Sequence, residues 1–326
     1  MEIELLSLLR GRKLNARAEF LTAAGLEADT DVDSTVLIWD NDHLIATGSR
    51  KENILKCIAV DPARQGEGLT ATVLTQLRQD AFSAGYDHLF LYTKPQNLLQ
   101  FSSLFFYPVA QTDKVLLMED RPRGIQCFLD SLLVSHIGGK IGALVMNCNP
   151  FTLGHRYLVE TAAKECDWVY VFVLSEDKSE FSTDVRMELV KQGTADLFNV
   201  SVLPTGPYLI SSATFPTYFL KERDQVRSVQ CQLDIAVFTK YFVPKFGITH
   251  RYVGTEPFSE MTDAYNRVLA KLLPKTGIEL RMVPRLEYGN LPISASAVRQ
   301  HIRDGQLDGL EALVPPTTLE YIRKHF

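Results

Sequence analysis

Seven consecutive apolar residues, WVYVFVL at positions 168–174, constrain the fold of this chain more than any other feature. A strand with one wet face alternates apolar and polar residues, so an unbroken apolar run indicates a strand covered on both faces of a parallel sheet. Four further strand-like runs lie in the same half of the chain, separated by helical segments: IGALVMNC, NVSVLP, THRYVG and IELRMVPR. The sequence therefore predicts a doubly wound α/β domain that binds ligands at the carboxyl ends of its strands.

The N-terminal part of the chain follows a different pattern. Residues 35–60 read as three strand-like runs joined by turn residues, which is typical of an antiparallel meander. A glycine-containing loop, a helical segment and the strand HLFLYT come next. A chain of 326 residues is long enough for about two domains, and Gly138-Gly139 marks a boundary zone. We predict an α+β domain over 1–135 and an α/β catalytic domain over 136–326.

Composition excludes several classes of partner. The chain has 34 Lys and Arg against 39 Asp and Glu, and the net charge of -5 gives no general attraction for nucleic acid or an anionic membrane. Glu2 and Glu4 interrupt an N-terminal apolar stretch that is too short to span a membrane. The five cysteines include no C-x-x-C pair or zinc-ligand spacing. We expect a cytoplasmic protein with no metal site of its own and no cysteine nucleophile.

A strand-to-helix turn follows the run that ends in MNC. The residues Asn149 to His155, NPFTLGH, contain the start of a helix at the carboxyl edge of the predicted sheet. Free backbone N–H groups and the positive end of the helix dipole favour a phosphate there. Gly154 allows a nucleotide to approach the backbone closely, and His155 on the first turn is a donor for a phosphate oxygen.

A second helix start lies near the end of the same domain. Pro292 precedes ISASAVR, and the run continues to Asp304-Gly305. Either Ser294 or Ser296 caps this helix, and Arg299 follows one turn in, where its guanidinium suits phosphate oxygens. Each motif alone is weak, but together they bracket one α/β domain, and both lie at helix starts.

The region 140–305 resembles the nucleotidyltransferase superfamily, with TLGH and ISASAVR in place of its two signature motifs. More narrowly, nearly the whole chain resembles the citrate lyase ligases, on five segments in this order: NPFTLGHRYL, LSEDKSEF, YLISSATFPTYFLK, VGTEPFSEMTDAYN and LPISASAVR. The resemblance implies an acid–thiol ligase that forms acetyl-adenylate from acetate and ATP, releases pyrophosphate, and acetylates a CoA-like thiol arm on the acyl carrier subunit of citrate lyase. Mg²⁺ would arrive with ATP.

Site residues follow from the motifs and the resemblance together. We expect His155 to stabilise the α-phosphate, Arg299 to bind the outer phosphates, and Lys178, after the WVYVFVL strand, to attract acetate. Arg186 reads as structural. The predicted ATP site consists of Asn149, Phe151, Thr152, Gly154, His155, Glu256, Ser294, Ser296 and Arg299.

The N-terminal domain resembles the Gcn5-related acetyltransferase fold at residues 58–70, IAVDPARQGEGLT. In that fold the corresponding loop cradles the pyrophosphate of CoA on backbone amides. The predicted arm-binding residues are Gln65, Gly66, Glu67 and Gly68. Phe101 stands where that fold commonly has a tyrosine general acid, so we expect the domain to bind the arm and to perform no acetyl transfer.

Two other functions stay open on sequence alone. One is a plain adenylyltransferase such as phosphopantetheine adenylyltransferase, which would not need an attached CoA-type fold. The other is an N-acetyltransferase with a nucleotide-binding domain, which would need the tyrosine that Phe101 replaces. No residue pattern distinguishes acetate from propionate or sets the oligomeric state.

Overall fold

A computed structural model of the chain gives two compact units, which are described separately below. The first consists of Met1–Gly124 with Phe215–Leu233, and the second of Ile125–Thr214 with Asp234–Phe326. The structure describes residues 1–136, 138–175, 179–209, 218, 223–255, 260–289 and 291–326, without the side chains of 223–227 and 260–262. The sequence-based division at residue 135 stays a prediction.

The first unit is built on a seven-stranded sheet in the order β1-β2-β3-β4-β5-β7-β6. Its neighbours pair antiparallel except β4 and β5, which are parallel. The strands are β1 (Glu2–Leu6), β2 (Ser34–Asp40), β3 (His43–Lys51), β4 (Ile54–Val60), β5 (Phe90–Thr93), β6 (Tyr107–Gln111) and β7 (Leu116–Glu119). The predicted meander over 35–60 is thus confirmed as β2, β3 and β4.

Helix α2 (Leu69–Ser83) covers this sheet with its apolar face. Its buried residues Val73, Leu74 and Leu77 belong to one core cluster with residues of the strands, including Val36 and Leu55. The helices of the unit are α1 (Gly11–Ala23), α2 (Leu69–Ser83) and α3 (Leu98–Ser102). This mixed sheet with the glycine loop before α2 is the acetyltransferase-like fold that the sequence predicts.

The second unit is built on a five-stranded sheet whose pairs are all parallel, in the order β10-β9-β8-β11-β12. The strands are β8 (Ile141–Met146), β9 (Trp168–Val173), β10 (Val200–Pro204), β11 (His250–Gly254) and β12 (Glu279–Val283). All five strand-like runs are therefore confirmed. The five residues of β9 from Val169 to Val173 are fully buried, as an unbroken apolar run requires.

Helices connect these strands and cover the sheet. They are α4 (Gly124–Ser131), α5 (Leu153–Glu165), α6 (Thr183–Gly193), α8 (Val243–Phe246), α9 (Glu260–Leu272), α10 (Ala295–Arg303) and α11 (Pro316–His325). One more helix, α7 (Arg223–Val237), belongs to the first unit up to Leu233 and to the second from Asp234. A two-stranded ribbon, β13 (Glu287–Tyr288) with β14 (Leu291–Pro292), precedes α10. Within the described ranges, no helix is long and apolar enough to cross a membrane.

The strand order positions the candidate site. From β8 the chain moves to β9 and β10 on one side, and later to β11 and β12 on the other. The loops that leave β8 and β11 therefore diverge, and this opens a crevice at the carboxyl edge between the two strands. The NPFTLGH segment directly follows β8. The doubly wound parallel sheet predicted from the sequence is confirmed, with its first motif at the switch point.

Candidate active site

Thr152 begins helix α5 and fixes the first turn. Its backbone is extended, as an N-cap requires, and its hydroxyl accepts a hydrogen bond from the N–H of His155 at 3.3 Å. In return the Thr152 N–H donates to Nδ1 of His155 at 3.1 Å. This reciprocal capping box satisfies two N–H groups of the helix start and holds the imidazole in one orientation.

The hydrogen bonds of His155 also determine its tautomer. Nδ1 accepts from a backbone N–H, so in the neutral ring the proton lies on Nε2. Burial, with a smaller contribution from the positive charge of Arg285, lowers the pKa of His155 to about 4. At neutral pH the side chain is therefore an uncharged imidazole with Nε2–H as its donor, which is the group that the predicted phosphate contact requires.

Phe151 lies beneath His155 in the core. Its side chain is 0% exposed, and its ring stacks on the imidazole with centroids 5.9 Å apart and planes at 14°. A Cβ added at Gly193 of α6 would lie 2.5 Å from the Phe151 ring, so the glycine is required for this close approach. Phe151 supports His155 from below, and its predicted place in the ATP site would be indirect.

The second motif opens helix α10, and Ser294 is its cap. The Ser294 hydroxyl accepts from the Ala297 N–H at 3.1 Å, which leaves Ser296 as the serine that contacts Arg299. The Arg299 guanidinium donates to the Ser296 hydroxyl at 3.1 Å and also to the backbone carbonyl of Asn149. Arg299 thus joins the start of α10 to the loop that follows β8.

Gly154 brings the two motifs into direct contact. A Cβ at this position would lie 3.0 Å from the carbonyl oxygen of Ile293, so a side chain would push the two helix starts apart. The sequence assigned Gly154 to the approach of a nucleotide. The structure adds a packing reason for glycine, because the loop before α10 lies against α5 at this residue.

Buried polar contacts hold the loops at this edge of the sheet. Asn149 is 9% exposed, and its side-chain oxygen accepts from the Phe181 N–H at 3.1 Å. Arg186 is 0% exposed and donates to the carbonyls of Asn147 at 2.8 Å and Leu174 at 2.7 Å, after β8 and β9. The reading of Arg186 as structural is consistent with this position.

Two charged residues of this edge were missed by the sequence analysis. Glu180 pairs with Nε of Arg299 at 3.2 Å and with Arg303 at 3.0 Å. Arg285, after β12, donates to the Thr255 carbonyl at 2.8 Å and adds positive charge near His155. Arg285 could have been found from its position after IELRMVP, because residues at the carboxyl end of a parallel strand commonly contact ligands.

The glycine loop of the first unit presents backbone rather than side chains. Gly66 and Gly68 have φ values of +92° and +76°, which favour glycine, and no atom lies within 4 Å of a Cβ added at either one. Residues 65–68 are exposed, and Gly68 caps α2 without a side chain. The Glu67 N–H donates to the Arg64 carbonyl at 3.4 Å, whereas the N–H groups of Gly66 and Gly68 make no backbone hydrogen bond to a described residue and lie at a helix start, as in an anion-binding loop.

Comparison with known proteins agrees with both parts of the chain. Residues 141–322 match the family model described as the citrate lyase ligase C-terminal domain. The [citrate [pro-3S]-lyase] ligase of Klebsiella pneumoniae is 42% identical over 93% of this chain and 90% of its own. The Escherichia coli K12 ligase of the same name is 39% identical over 96% of this chain and 91% of its own. The chain belongs to the citrate lyase ligase family.

Family membership confirms the predictions that the chain is an enzyme and an acid–thiol ligase. A solved acyl-CoA N-acyltransferase from Pseudomonas aeruginosa matches 37% of this ligase and 99% of its own chain, at 15% identity and a TM-score of 0.32. Lys178 and Glu256 lie outside the described residues. Their roles, like those of the other site residues of this ligase, stay predictions.

Proposed function

We propose that this ligase activates acetate with ATP and acetylates the thiol of a CoA-derived arm on the citrate lyase acyl carrier subunit. In the first step a carboxylate oxygen of acetate attacks the α-phosphorus of ATP, and pyrophosphate leaves with the electrons of the broken P–O bond. In the second step the thiol attacks the acetyl carbonyl of the adenylate, and AMP leaves together with a proton. The products are the thioester, AMP and pyrophosphate.

The observation that carries this proposal is the meeting of two helix starts at the switch point. The first turn of α5 lies against Ile293, just before the cap of α10, and Arg299 connects the two helix starts through the Asn149 carbonyl. At α5 the Leu153 N–H donates to the Leu313 carbonyl at 2.9 Å and the N–H groups of Thr152 and His155 serve the capping box. This helix start therefore contributes the Gly154 N–H and its dipole, and the dipole at the start of α10 adds to the charge of Arg299. A polyphosphate is the ligand that such a convergence favours.

His155 would act on the charge that develops at the α-phosphate. Its Nε2–H makes no hydrogen bond to any described residue, while Nδ1 is held by the Thr152 N–H. A donor that is already oriented costs no reorganisation in the transition state, so it stabilises that state more than the bound substrate. Displacement at phosphorus requires mainly in-line positioning and charge neutralisation, so no protein nucleophile is needed.

Arg299 would bind the outer phosphates together with Ser296. Its Nε faces Glu180, one terminal nitrogen faces the Asn149 carbonyl, and the other faces Ser296. Each terminal nitrogen carries a second N–H, so the fork retains two donors for phosphate oxygens. Ser294 contributes through the cap of α10, because its hydroxyl already accepts from the Ala297 N–H.

Mg²⁺ would enter this site on the phosphates of ATP. Among the described residues there is no cluster of three or more His, Cys, Asp or Glu side chains that would hold a metal. A Mg²⁺ ion that keeps several waters and takes its other ligands from the nucleotide does not need such a cluster. Bound there, it would neutralise charge on the leaving pyrophosphate.

The first unit would hold the arm of the acyl carrier. Its Gln65–Gly68 loop offers exposed backbone donors at the start of α2 for the phosphates of the arm. Phe101 is 3% exposed and packs edge-on against Phe106, so this position supplies core packing and no proton donor. Binding the arm to the same chain that forms the adenylate would raise the effective concentration of its thiol for the second step.

An isotope experiment tests the first step. Carboxyl-¹⁸O-labelled acetate, ATP and the acyl carrier are turned over by the full chain, and AMP and pyrophosphate are analysed by mass spectrometry. Attack at the α-phosphorus leaves one ¹⁸O in AMP after acetyl transfer. Label in phosphate or pyrophosphate instead would overturn the adenylate. A panel of formate, propionate and butyrate, run alongside, measures the preference for acetate.

A further inference from the structure

Strands β4 and β5 of the first unit separate after a very short pairing. Only Ile54 with Phe90 and Leu55 with Leu91 are in register, although β4 continues to Val60 and β5 to Thr93. Beyond those pairs the two parallel strands leave a gap. Cys57, the second residue of β4 after the last pair, is 0% exposed and has a φ of +54°.

The side chain of Tyr218 closes this gap. Its hydroxyl donates to the carbonyl of Tyr92 on β5 and accepts a hydrogen bond from the backbone of Cys57 on β4. The hydroxyl thus bridges the two strands just beyond their last register pair. Tyr218 is 4% exposed, and its backbone carbonyl accepts from the Glu27 N–H at 2.7 Å. The phenol is therefore held at both ends.

The gap lies further back along β4 from the glycine loop, in the direction that a ligand bound to the loop would follow. The loop Gln65–Gly68 follows the carboxyl end of β4, whereas Cys57 lies three residues back from that end, roughly 10 Å along the strand. A CoA-like arm carries phosphates at one end, two amide groups along its length and a thiol at the other end. With its phosphates on the loop, such an arm would extend along β4, because its amides can pair with an open strand edge. Its thiol would then approach the gap.

We propose that Tyr218 makes this arm site select the free thiol over its acetyl thioester. The inference rests on the proposed function, since it assumes that the Gln65–Gly68 loop binds the arm. On this placement a free thiol would end at sulfur, short of the phenol. The acetyl group adds a carbonyl and a methyl group at that end, and the space between Cys57 and Tyr92 is already occupied by a buried, doubly hydrogen-bonded ring.

This selectivity has a direct consequence for the ligase reaction. The free thiol is the substrate of the second step, and the thioester is its product. A site that binds substrate more tightly than product favours release of the acetylated carrier. It also gives a second reason, besides the phenylalanine at position 101, why the first unit would not transfer an acetyl group from acetyl-CoA.

Calorimetry on the full chain tests the proposal with dephospho-CoA and S-acetyl-dephospho-CoA as probes. We expect the wild type to bind the thiol at least tenfold more tightly than the thioester. Tyr218→Ala opens the gap, so the affinity for the thioester should rise and the ratio should fall toward one. Phe82→Ala, at an exposed aromatic residue of α2, is the matched control and should leave the ratio unchanged.

Tyr218→Phe separates the ring from its hydroxyl. It keeps the gap filled, so the preference for the thiol should persist while the melting temperature falls, since two buried hydrogen bonds are lost. If Tyr218→Ala does not fold, the wild-type ratio and the Tyr218→Phe ratio still decide. Equal wild-type affinities for the two probes, or a Tyr218→Phe variant that loses the preference, would overturn the role of Tyr218 alone. Failure of the wild type to bind either probe would overturn arm binding by the first unit as well.

Discussion

The two candidate phosphate sites of this ligase are built from different materials. At the carboxyl edge of the second unit, side chains fix the chemistry: His155 is oriented by Thr152, and Arg299 by Asn149, Ser296 and Glu180. In the first unit, the loop at 65–68 offers backbone N–H groups around two glycines with positive φ. Both are strand-to-helix turns, and among the described residues we propose transition-state stabilisation for the first turn and binding alone for the second.

This difference between backbone donors and oriented side chains indicates why one strand-to-helix turn would only bind phosphate while the other would also catalyse a reaction. Backbone donors at a helix start suffice to hold a phosphate that does not react. A reacting phosphate also needs donors aimed at developing charge, and those have to be held in place by other residues. Substitutions at side chains should therefore damage adenylate formation, whereas changes of backbone conformation at the loop should damage only the use of the arm.

The largest effect is expected for His155→Ala. Removing one oriented donor at developing charge should lower the rate of acetate-dependent adenylate formation by about 10²–10³. His250→Ala is the matched control, because His250 begins β11 at the opposite edge of the same sheet. Steady-state kinetics and circular dichroism check both variants. Unchanged turnover, or loss of the fold in His155→Ala, contradicts the catalytic role.

Arg299→Lys should have the next largest effect. A lysine supplies charge but cannot bridge the Asn149 carbonyl, Ser296 and two phosphate oxygens, so the KM for ATP should rise about tenfold with little change in that for acetate. Arg303 also pairs with Glu180 but, among the described residues, makes no hydrogen bond to Asn149, so Arg303→Lys should change the KM for ATP much less. Equal effects of the two variants would show that Arg299 acts only as surface charge.

Gly66→Ala should weaken binding of the CoA-like arm and leave the rate of adenylate formation unchanged. Its φ of +92° strains a non-glycine residue by roughly 1–2 kcal/mol, although nothing blocks the added methyl group. The relaxed loop should bind dephospho-CoA about fivefold more weakly. Gly85→Ala has a φ of +89° and equally open space but lies at the other end of α2, so it should cost similar stability without the loss of binding. If both variants lost the same affinity for dephospho-CoA, the effect would come from lower stability of the fold and not from the loop.

The smallest effect is expected from pH. Since the pKa of His155 is lowered to about 4 from its ordinary value of 6.5, the imidazole should stay neutral and active throughout the range near neutrality. Its contribution to stability is present above about 6.5 and is lost as the pH falls toward 4. Nitrogen-15 NMR should show the Nε2–H tautomer at pH 7. A His155 titration midpoint near 6.5 contradicts the neutral state predicted for this imidazole.

The sequence predicted the strands and helix starts that are determined by residues close together in the chain. The apolar run at 168–174 predicted β9, and the segment after MNC predicted that a helix, α5, starts there, because strand burial and helix starts are set by nearby residues. The pairing of Arg299 with Asn149 joins residues 150 positions apart and could not be read from spacing. The same holds for Gly154, whose neighbour Ile293 comes from the other motif.

Tyr218 shows the limit of sequence reasoning most clearly. Phe101 could be identified from the sequence because it stands where the acetyltransferase fold commonly has a tyrosine. The missing hydroxyl suggested that the first unit performs no acetyl transfer. The residue that closes the gap lies over 100 positions away and matches no motif, so only the folded first unit brings its hydroxyl to Tyr92. Long-range contacts of this kind depend on topology and leave no periodic trace in the sequence.

The central claim, that the two turns divide the two half-reactions, is tested most directly by ATP–pyrophosphate exchange. Exchange is measured with and without acetate in the wild type, His155→Ala and Gly66→Ala, and acetylation of the carrier is measured in parallel. We predict acetate-dependent exchange in the wild type and in Gly66→Ala, with slower carrier acetylation only in the latter, and loss of both activities in His155→Ala. Exchange that proceeds without acetate, or that is lost in Gly66→Ala as fully as in His155→Ala, would contradict the account.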